Sequence, residues 1–478
     1  MNSNLALDYQ PSPAITELPD EVFRNYDIRG FATTQISPYF GFKLGAALAL
    51  MLKDQKHSSI YIGRDSRLSS PELAEALCAG LIQHGMNVID LGAVSTPVVN
   101  FAVQCGNRAD CGVMVTASHN PKDYNGFKIV VRDQVIAGET LQKIKRLMQS
   151  EMHTASQPGQ LIAEDLTSNY LKAITDSCST DRNFKIVVDS GNSIAGPLAV
   201  KLFKQLNCDI VPLFCEPDGN FPNHDPNPSD EKNLQQLKET VLSHQADIGF
   251  ALDGDGDRLV AISGNGKILW PDQLLMIFAK DILGRHPNTD IVFDVKSSYR
   301  LHQLIRDLSG NPVMCKTGHS HVRRAVQSTG ALVGGEFSGH IFFNDRWHGF
   351  DDGLYAAIRL LEILSHCKHS TRFALDNMMS EFKSSAYTPE ILIPTSEADK
   401  FPLMDKLMAN CVFKGAKINT IDGLRVEYPF GWGLIRASNT SAFLTLRFEA
   451  KDQAELKRIK KLFSEELTPF INQVEQYL

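Results

Sequence analysis

Asp253-Gly254-Asp255-Gly256-Asp257-Arg258 sets three carboxylates at alternate positions, with only glycine between them and an arginine directly after. Alternate residues of an extended chain point to one side, so the three acids can converge on one point. Like charges packed that closely repel unless a cation sits among them. A set of hard oxygen ligands favours Mg2+ over softer metals, and glycine permits the backbone angles that wrapping a small ion demands. An acidic surface turn is the common fate of Asp-Gly pairs. Here the apolar run Ile248-Gly249-Phe250-Ala251-Leu252 precedes the acids and reads as a buried strand, so they sit at a strand end. An EF-hand loop also begins with alternating acids, but its sixth and twelfth positions need Gly and Glu and here hold Arg258 and Gly264. An aspartyl phosphatase with Asp253 as nucleophile fits the same local pattern and stays open on it.

A second reactive candidate is Ser118, in Thr116-Ala117-Ser118-His119-Asn120-Pro121. As a hydrolase nucleophile it would need the elbow G-x-S-x-G, and Thr116 and Asn120 occupy the glycine positions. Phosphoryl transfer through the serine suits the rest of the chain better. Mg2+ would neutralise phosphoryl oxygens and link Ser118 to Asp253, Asp255 and Asp257, with His119, Arg258 and Lys128 shielding the remaining charge. Taken alone, Ser118 is a turn residue and His119 a surface histidine; their company argues otherwise.

The elements that must position these groups recur. Strand-like runs Ser59–Ile62, Lys185–Val188 and Asp290–Phe293 end in Gly63-Arg64-Asp65-Ser66, Asp189-Ser190-Gly191-Asn192 and Asp294-Val295-Lys296-Ser297. Each leads through a helical segment to a second run at Val88-Ile89, Ile210-Val211 or Val313-Met314, then through another to a third at Gly112–Val115, Ile248–Ala251 or Ala331–Val333. This rhythm implies α/β layers, and its repetition at domain-sized intervals implies three related domains. The third runs deliver the serine loop, the aspartate loop and Gly334-Gly335-Glu336-Phe337-Ser338-Gly339-His340. Loops at strand ends are where open α/β sheets bind ligands. After about residue 380 the pattern changes: Leu424–Tyr428 and Phe443–Phe448 alternate like half-exposed strands, and Leu456–Leu467 has helical spacing. Between those strands lies Arg436-Ala437-Ser438-Asn439-Thr440-Ser441, an arginine with hydroxyls and amides that suits a phosphate or, equally, a polar turn.

At 478 residues the chain is too long for one core, and 43% apolar with 22% charged residues is ordinary for a globular protein. A net charge of -7 argues against a nucleic-acid surface. Nine scattered cysteines without a C-x-x-C pair suit reduced thiols and a cytoplasmic protein. The longest nearly apolar stretch, Leu44–Leu52, is too short for a bilayer, and the first twenty residues resemble neither signal nor transit peptide.

Thr-Ala-Ser-His-Asn-Pro, Asp-Gly-Asp-Gly-Asp-Arg, Gly-Glu-Phe-Ser-Gly-His and Arg-Ala-Ser-Asn-Thr-Ser, in this order, resemble the four loops of the alpha-D-phosphohexomutases, and Phe23-Arg24-Asn25-Tyr26-Asp27-Ile28-Arg29-Gly30 matches that family too. The match runs over roughly residues 22 to 470 and is nearest the bacterial phosphomannomutase/phosphoglucomutase subgroup. The resemblance implies three similar α/β domains with mixed sheets plus a smaller C-terminal α+β domain around a central cleft, divided here as 1–163, 164–267, 268–379 and 380–478. It implies a phosphorylated Ser118, Mg2+ held by Ser118, Asp253, Asp255 and Asp257, and transfer to a hexose phosphate through a hexose 1,6-bisphosphate. Glu336, Ser338 and His340 would hold the sugar, and Arg436, Ser438, Asn439 and Thr440 the non-reacting phosphate. Tyr26, Arg29, Lys128, Lys296 and His319 match cleft positions, with Lys128 or His319 favoured over Arg29 for proton transfer. Phe337 stands where methionine is common in the subgroup. The expected partners are hexose phosphates alone, with no nucleic acid and no membrane. The protein is expected to be a monomer whose last domain hinges near residues 375–392.

Overall fold

The computed structural model describes residues 8–10, 18–24, 27–132, 134, 136–367, 371–439 and 442–478. The chain divides into two compact units, Met1–Leu274 with Ser338–Asp376 and Leu275–Phe337 with Asn377–Leu478.

The first sheet comprises β1 (Ile28–Phe31), β2 (Ser59–Arg64), β3 (Asn87–Ala93), β4 (Cys111–Val115), β5 (Tyr124–Val131) and β6 (Leu161–Ala163), in the order β1-β5-β4-β2-β3-β6. The second comprises β7 (Lys185–Asp189), β8 (Asp209–Leu213), β9 (Ile248–Leu252), β10 (Leu259–Ser263) and β11 (Ile268–Leu269), in the order β11-β10-β9-β7-β8. In the third, β12 (Asp290–Asp294) lies between β13 (Asn311–Cys315) and β14 (Val333–Gly335).

The internal repeat is visible in the pairing. In each sheet the leading strand, β2, β7 or β12, is flanked in parallel by the second and third strands of its own copy. Crossover helices supply the connections that parallel strands require, such as Ser70–Gln83 and Thr96–Cys105 in the first copy. In the first two copies the third strand then turns back into an antiparallel neighbour, β4 into β5 and β9 into β10. The serine and aspartate loops are therefore the tips of corresponding hairpins. β4, β9 and β10 are buried at every residue, as their unbroken apolar runs demand.

One boundary differs from expectation. β14 begins at Val333, where the third run was expected to end, and continues through Gly334 and Gly335. Two glycines read as a loop in sequence, but here they are strand. A Cβ on Gly334 would stand 2.6 Å from Val326 Cγ2, so helix His319–Thr329 approaches too closely for a side chain.

After β15 (Ile341–Phe343), the C-terminal sheet contains β16 (Ala386–Tyr387), β17 (Ile391–Pro394), β18 (Lys417–Asn419), β19 (Leu424–Tyr428), β20 (Gly431–Ala437) and β21 (Phe443–Ala450). Its order is β16-β21-β20-β19-β18, with β17 also on β21. Helix Gln453–Leu467 lays Leu456, Ile459, Phe463 and Leu467 on its core. Arg436 and Ala437 end β20, so the phosphate-loop candidate is the turn between β20 and β21. Among the described residues no helix is long and apolar enough to cross a membrane. Tyr26 and Thr440 lie outside the described residues.

Candidate active site

Ser118 follows β4, fully buried, with a left-handed backbone at φ 53°. That conformation costs a serine about 1 kcal/mol or more and persists only where surroundings impose it. Its N–H donates to Thr116 Oγ1 at 2.9 Å, and its Oγ donates to Asp253 Oδ2 at 2.8 Å and lies 3.2 Å from His119 Nδ1. The serine and aspartate loops touch closely enough that a Cβ on Gly254 would stand 2.1 Å from Ser118 O. The glycine is there because nothing larger fits.

Asp253, Asp255 and Asp257 are all buried. Asp253 Oδ1 shapes its own loop, accepting the backbone N–H groups of Gly256, Asp257 and Arg258 at 3.1, 3.1 and 3.2 Å. Lys128, carried on β5 opposite Met114, donates to Asp255 Oδ2 and Asp257 Oδ2, each at 2.6 Å. Thr96, opening its helix, also donates to Asp255 Oδ2. Burial and mutual repulsion push Asp253 well above the usual carboxylate range, and Asp257 upward as well. For Asp255 burial works in the same direction, but the Lys128 cation overcomes it and holds the carboxyl low. Burial would lower the Lys128 pKa; the surrounding carboxylates outweigh it and keep this side chain firmly ammonium.

The three carboxylates have oxygens within 4.8 Å of one another, and Lys128 pairs with two of them, Asp255 and Asp257. Asp255 Oδ1 is buried with no hydrogen-bond donor. A hard cation would supply the missing charge and the missing partner. The cluster could hold a metal ion.

Arginines line the same unit. Arg29 donates to Asn120 Oδ1 at 2.8 Å and Asp27 Oδ2 at 2.6 Å. Arg258 Nε donates to His340 Nε2 at 2.9 Å and lies 3.6 Å from Asp253 Oδ2. His340 Nδ1 lies 2.7 Å from Asp351 Oδ2. His340, expected to hold sugar, also supports Arg258. Burial first, then the cations Arg258 and Arg29, push His119 well below its ordinary range, so it is neutral beside Ser118. Ser338 is half-buried and accepts from Ser229 Oγ at 3.3 Å through its carbonyl.

The second unit carries the other expected residues. Glu336 is buried, and Lys296 Nζ lies 3.1 Å from Glu390 Oε1. Burial works to raise the Glu390 pKa, but Lys296 outweighs it and holds the carboxyl low. Arg436 Nε donates to Asp422 Oδ2 at 3.0 Å, an oxygen that also accepts Thr317 N at 3.0 Å. Ser438 N closes its turn on Phe443 O at 2.9 Å, Asn439 is half-buried beside it, and His319 opens helix His319–Thr329.

Sequence reasoning missed Asp65, Arg67, Thr96, Asp351 and Asp422, each of which holds an expected residue or its loop. For Asp65 and Arg67 a signal existed: each leading strand ends in an aspartate or is followed directly by one, at Asp65, Asp189 and Asp294.

Comparison with known proteins gives the same architecture. Profiles of phosphoglucomutase/phosphomannomutase alpha/beta/alpha domains I, II and III match residues 20–155, 168–266 and 270–382, and the C-terminal domain of that family matches 390–466. A phosphomannomutase/phosphoglucomutase of Pseudomonas aeruginosa is 44% identical over 450 residues, covering 94% of this chain and 96% of the relative. A phosphoglucomutase of Neisseria meningitidis is 43% identical over 448 residues, covering 93% and 96%. The crystal structure of a phosphoglucomutase/phosphomannomutase family protein from Burkholderia thailandensis superposes with a TM-score of 0.89 at 41% identity, covering 96% of this chain and 99% of that one. Three α/β domains followed by a smaller C-terminal domain are the architecture of the phosphoglucomutase/phosphomannomutase fold. The chain belongs to the phosphoglucomutase/phosphomannomutase family.

Proposed function

We propose that this protein interconverts the 1-phosphate and 6-phosphate of a hexose, mannose and/or glucose, through phosphoserine at Ser118 and a hexose 1,6-bisphosphate that reorients between two transfers. The observation that carries this reading is the 2.8 Å hydrogen bond from Ser118 Oγ to Asp253, which joins the nucleophile loop of one repeat to the charge cluster of the next. Relatives that cover nearly the whole chain bear the names phosphomannomutase/phosphoglucomutase and phosphoglucomutase.

In the first transfer a sugar hydroxyl oxygen bonds to phosphorus as the Ser118 Oγ–P bond breaks; the hydroxyl proton passes to a base and Oγ takes one up. In the second, the other phosphoryl group of the bisphosphate returns to Ser118 Oγ, leaving the isomer and restoring the phosphoenzyme. Asp253, Asp255, Asp257 and a Ser118-borne oxygen would hold Mg2+, which when bound neutralises phosphoryl charge. Lys128, fixed as a cation, contributes charge where the transferring group sits. That leaves His319, the first residue of its helix, as the proton acceptor of the expected pair. Arg29 and Arg258 add positive charge, and neutral His119 keeps a hydrogen bond with Oγ. Lys296, Glu336, Ser338 and His340 serve the sugar; Arg436, Ser438, Asn439 and Thr440 the second phosphate; Tyr26 completes the set. We place the domain boundaries after residues 163, 267 and 379, and the protein in the cytoplasm as a monomer.

Against an aspartyl phosphatase stands Ser118, whose Oγ meets the cluster at Asp253 Oδ2 and which that reaction does not need. Peptide analysis of purified protein should find phosphate on Ser118, and Ser118→Ala should lose at least about a thousandfold in turnover. Full activity in that variant ends the proposal. Release of inorganic phosphate without isomerisation supports the phosphatase instead. Coupled assays on mannose 6-phosphate and glucose 1-phosphate set the preferred sugar.

A further inference from the structure

Arg67 is fully buried at the turn after β2 and engages all five of its guanidinium N–H donors. Nε–H meets Asp65 Oδ2 at 3.1 Å. Nη1 donates to Pro121 O and Tyr124 O at 2.6 and 3.1 Å, and Nη2 to Ser118 O and Asn120 O at 2.7 and 2.6 Å. Four carbonyls of one short loop thus converge on a single side chain that reaches no reacting atom. Asp65 completes the hold from the other side. Its Oδ2 accepts Thr116 Oγ1 at 2.7 Å, and that hydroxyl in turn accepts Ser118 N at 2.9 Å. Asp65 N donates to Val115 O at 3.0 Å, tying the turn to the end of β4. Phe221, from the second repeat, covers the guanidinium at 5.1 Å from its ring centre.

Both backbone polar groups of Ser118 are therefore fixed by one buried pair, the N–H through Thr116 and the C=O directly. Pinning both flanks of a residue is what keeps it in a left-handed conformation it would otherwise leave. We propose that Arg67, with Asp65 and Thr116, is a positioning unit that holds Ser118 in its left-handed conformation with Oγ aimed at Asp253. The fork of five donors explains why the position carries arginine, since lysine offers three donors from one point. The inference rests on the mutase reading, since its readout is turnover through Ser118.

Two substitutions test it. Thr116→Val keeps the shape and deletes the hydroxyl between Asp65 and Ser118; Thr116→Ser restores that hydroxyl. With glucose 1-phosphate as substrate and glucose 1,6-bisphosphate as activator, Thr116→Val is expected to lose roughly ten- to hundredfold in kcat, with KM within about threefold of the parent. Thr116→Ser should recover to within about fivefold of the parent. Arg67→Lys should fall at least as far as Thr116→Val, and if it does not fold, the Thr116 pair still decides. Parental kcat in folded Thr116→Val overturns the proposal, as does equal loss in Thr116→Val and Thr116→Ser, which would mean packing alone. Absence of isomerisation and of phosphoserine in the parent defeats the mutase reading itself and is seen before any variant is made.

Discussion

The first and third repeats both follow their leading strand with an aspartate and a cation two residues later, Asp65-Ser66-Arg67 and Asp294-Val295-Lys296. Both aspartates are buried, and both tie down the loop that follows the third strand of their repeat. Asp65 accepts Thr116 Oγ1, and Asp294 accepts Phe337 N at 3.3 Å, along with Ser297 Oγ and Thr317 Oγ1. The cations part company. Arg67 turns inward and spends every donor on its own loop. Lys296 leaves its aspartate for Glu390 and lies over the Phe337 ring at 5.6 Å. Burial pushes Asp294 up against the pull of the Lys296 charge. One position of the repeat thus serves two tasks. A planar fork suits fixing carbonyls around a nucleophile, and a single mobile charge suits meeting an anion.

The contrast depends on the cluster that Ser118 is aimed at, so the largest effects belong there. Asp253→Ala, Asp255→Ala and Asp257→Ala should each lower kcat by about a thousandfold or more, with KM changing only a few-fold. Steady-state kinetics at saturating Mg2+ checks this. A variant that loses affinity but keeps turnover shows that its aspartate is not a metal ligand.

Lys296→Ala sharpens the contrast directly. A cation available to substrate should show in KM, by about ten- to fiftyfold, with a smaller change in kcat. That is the reverse of the pattern expected at Thr116 and Arg67. Equal patterns at the two positions would break the comparison. A smaller effect is expected at Phe337. Its ring stacks beneath Arg447 at 3.6 Å, and Arg447 also donates to Lys296 O. Phe337→Leu removes the stack and should cost about 1 kcal/mol, a several-fold rise in KM. Arg447→Met should match it, and the double variant should fall no further than either alone.

Much of this was legible in the chain. Uninterrupted apolar runs marked β4 and β9, because burial on two faces writes directly into sequence; alternation located β19 and β21, but β21 is not half-exposed as expected, being buried from Leu444 to Ala450 with Arg447 and Glu449 included. The reactive residues announced themselves by clustering unlike groups at strand ends. What the chain concealed is the support. Arg67 meets backbone carbonyls, and a carbonyl has no letter in a sequence. Asp351 holds His340 from across a hairpin, and Asp422 meets Arg436 from fourteen residues upstream. Gly334 and Gly335 hid a strand because what specifies them is a neighbouring helix. Ser118 gave no sign of its left-handed backbone, since other chain segments impose it.

The second repeat offers the finest test, because it has the aspartate without the cation: Asp189-Ser190-Gly191. His224 takes the empty role, its Nε2 3.3 and 3.2 Å from the two Asp189 oxygens. Burial works against a charged imidazole there, but the hydrogen bond and charge of Asp189 prevail and raise its pKa. A histidine whose folded pKa exceeds its unfolded one stabilises the fold below the unfolded value near 6.5, and the gain fades as pH rises through the folded value. The first repeat holds its aspartate with the permanent cation of Arg67, so the Asp189 brace should weaken toward alkaline pH where the Asp65 brace does not. His224→Gln keeps a donor for Asp189 without a titrating charge. It should cost about 1 kcal/mol at pH 6, measured by denaturant unfolding of the transition that includes this repeat, and less at pH 8.5. A penalty that stays level across that range, or grows with pH, shows that His224 supplies packing and a neutral hydrogen bond, and that the second repeat does without the cation that the first one uses.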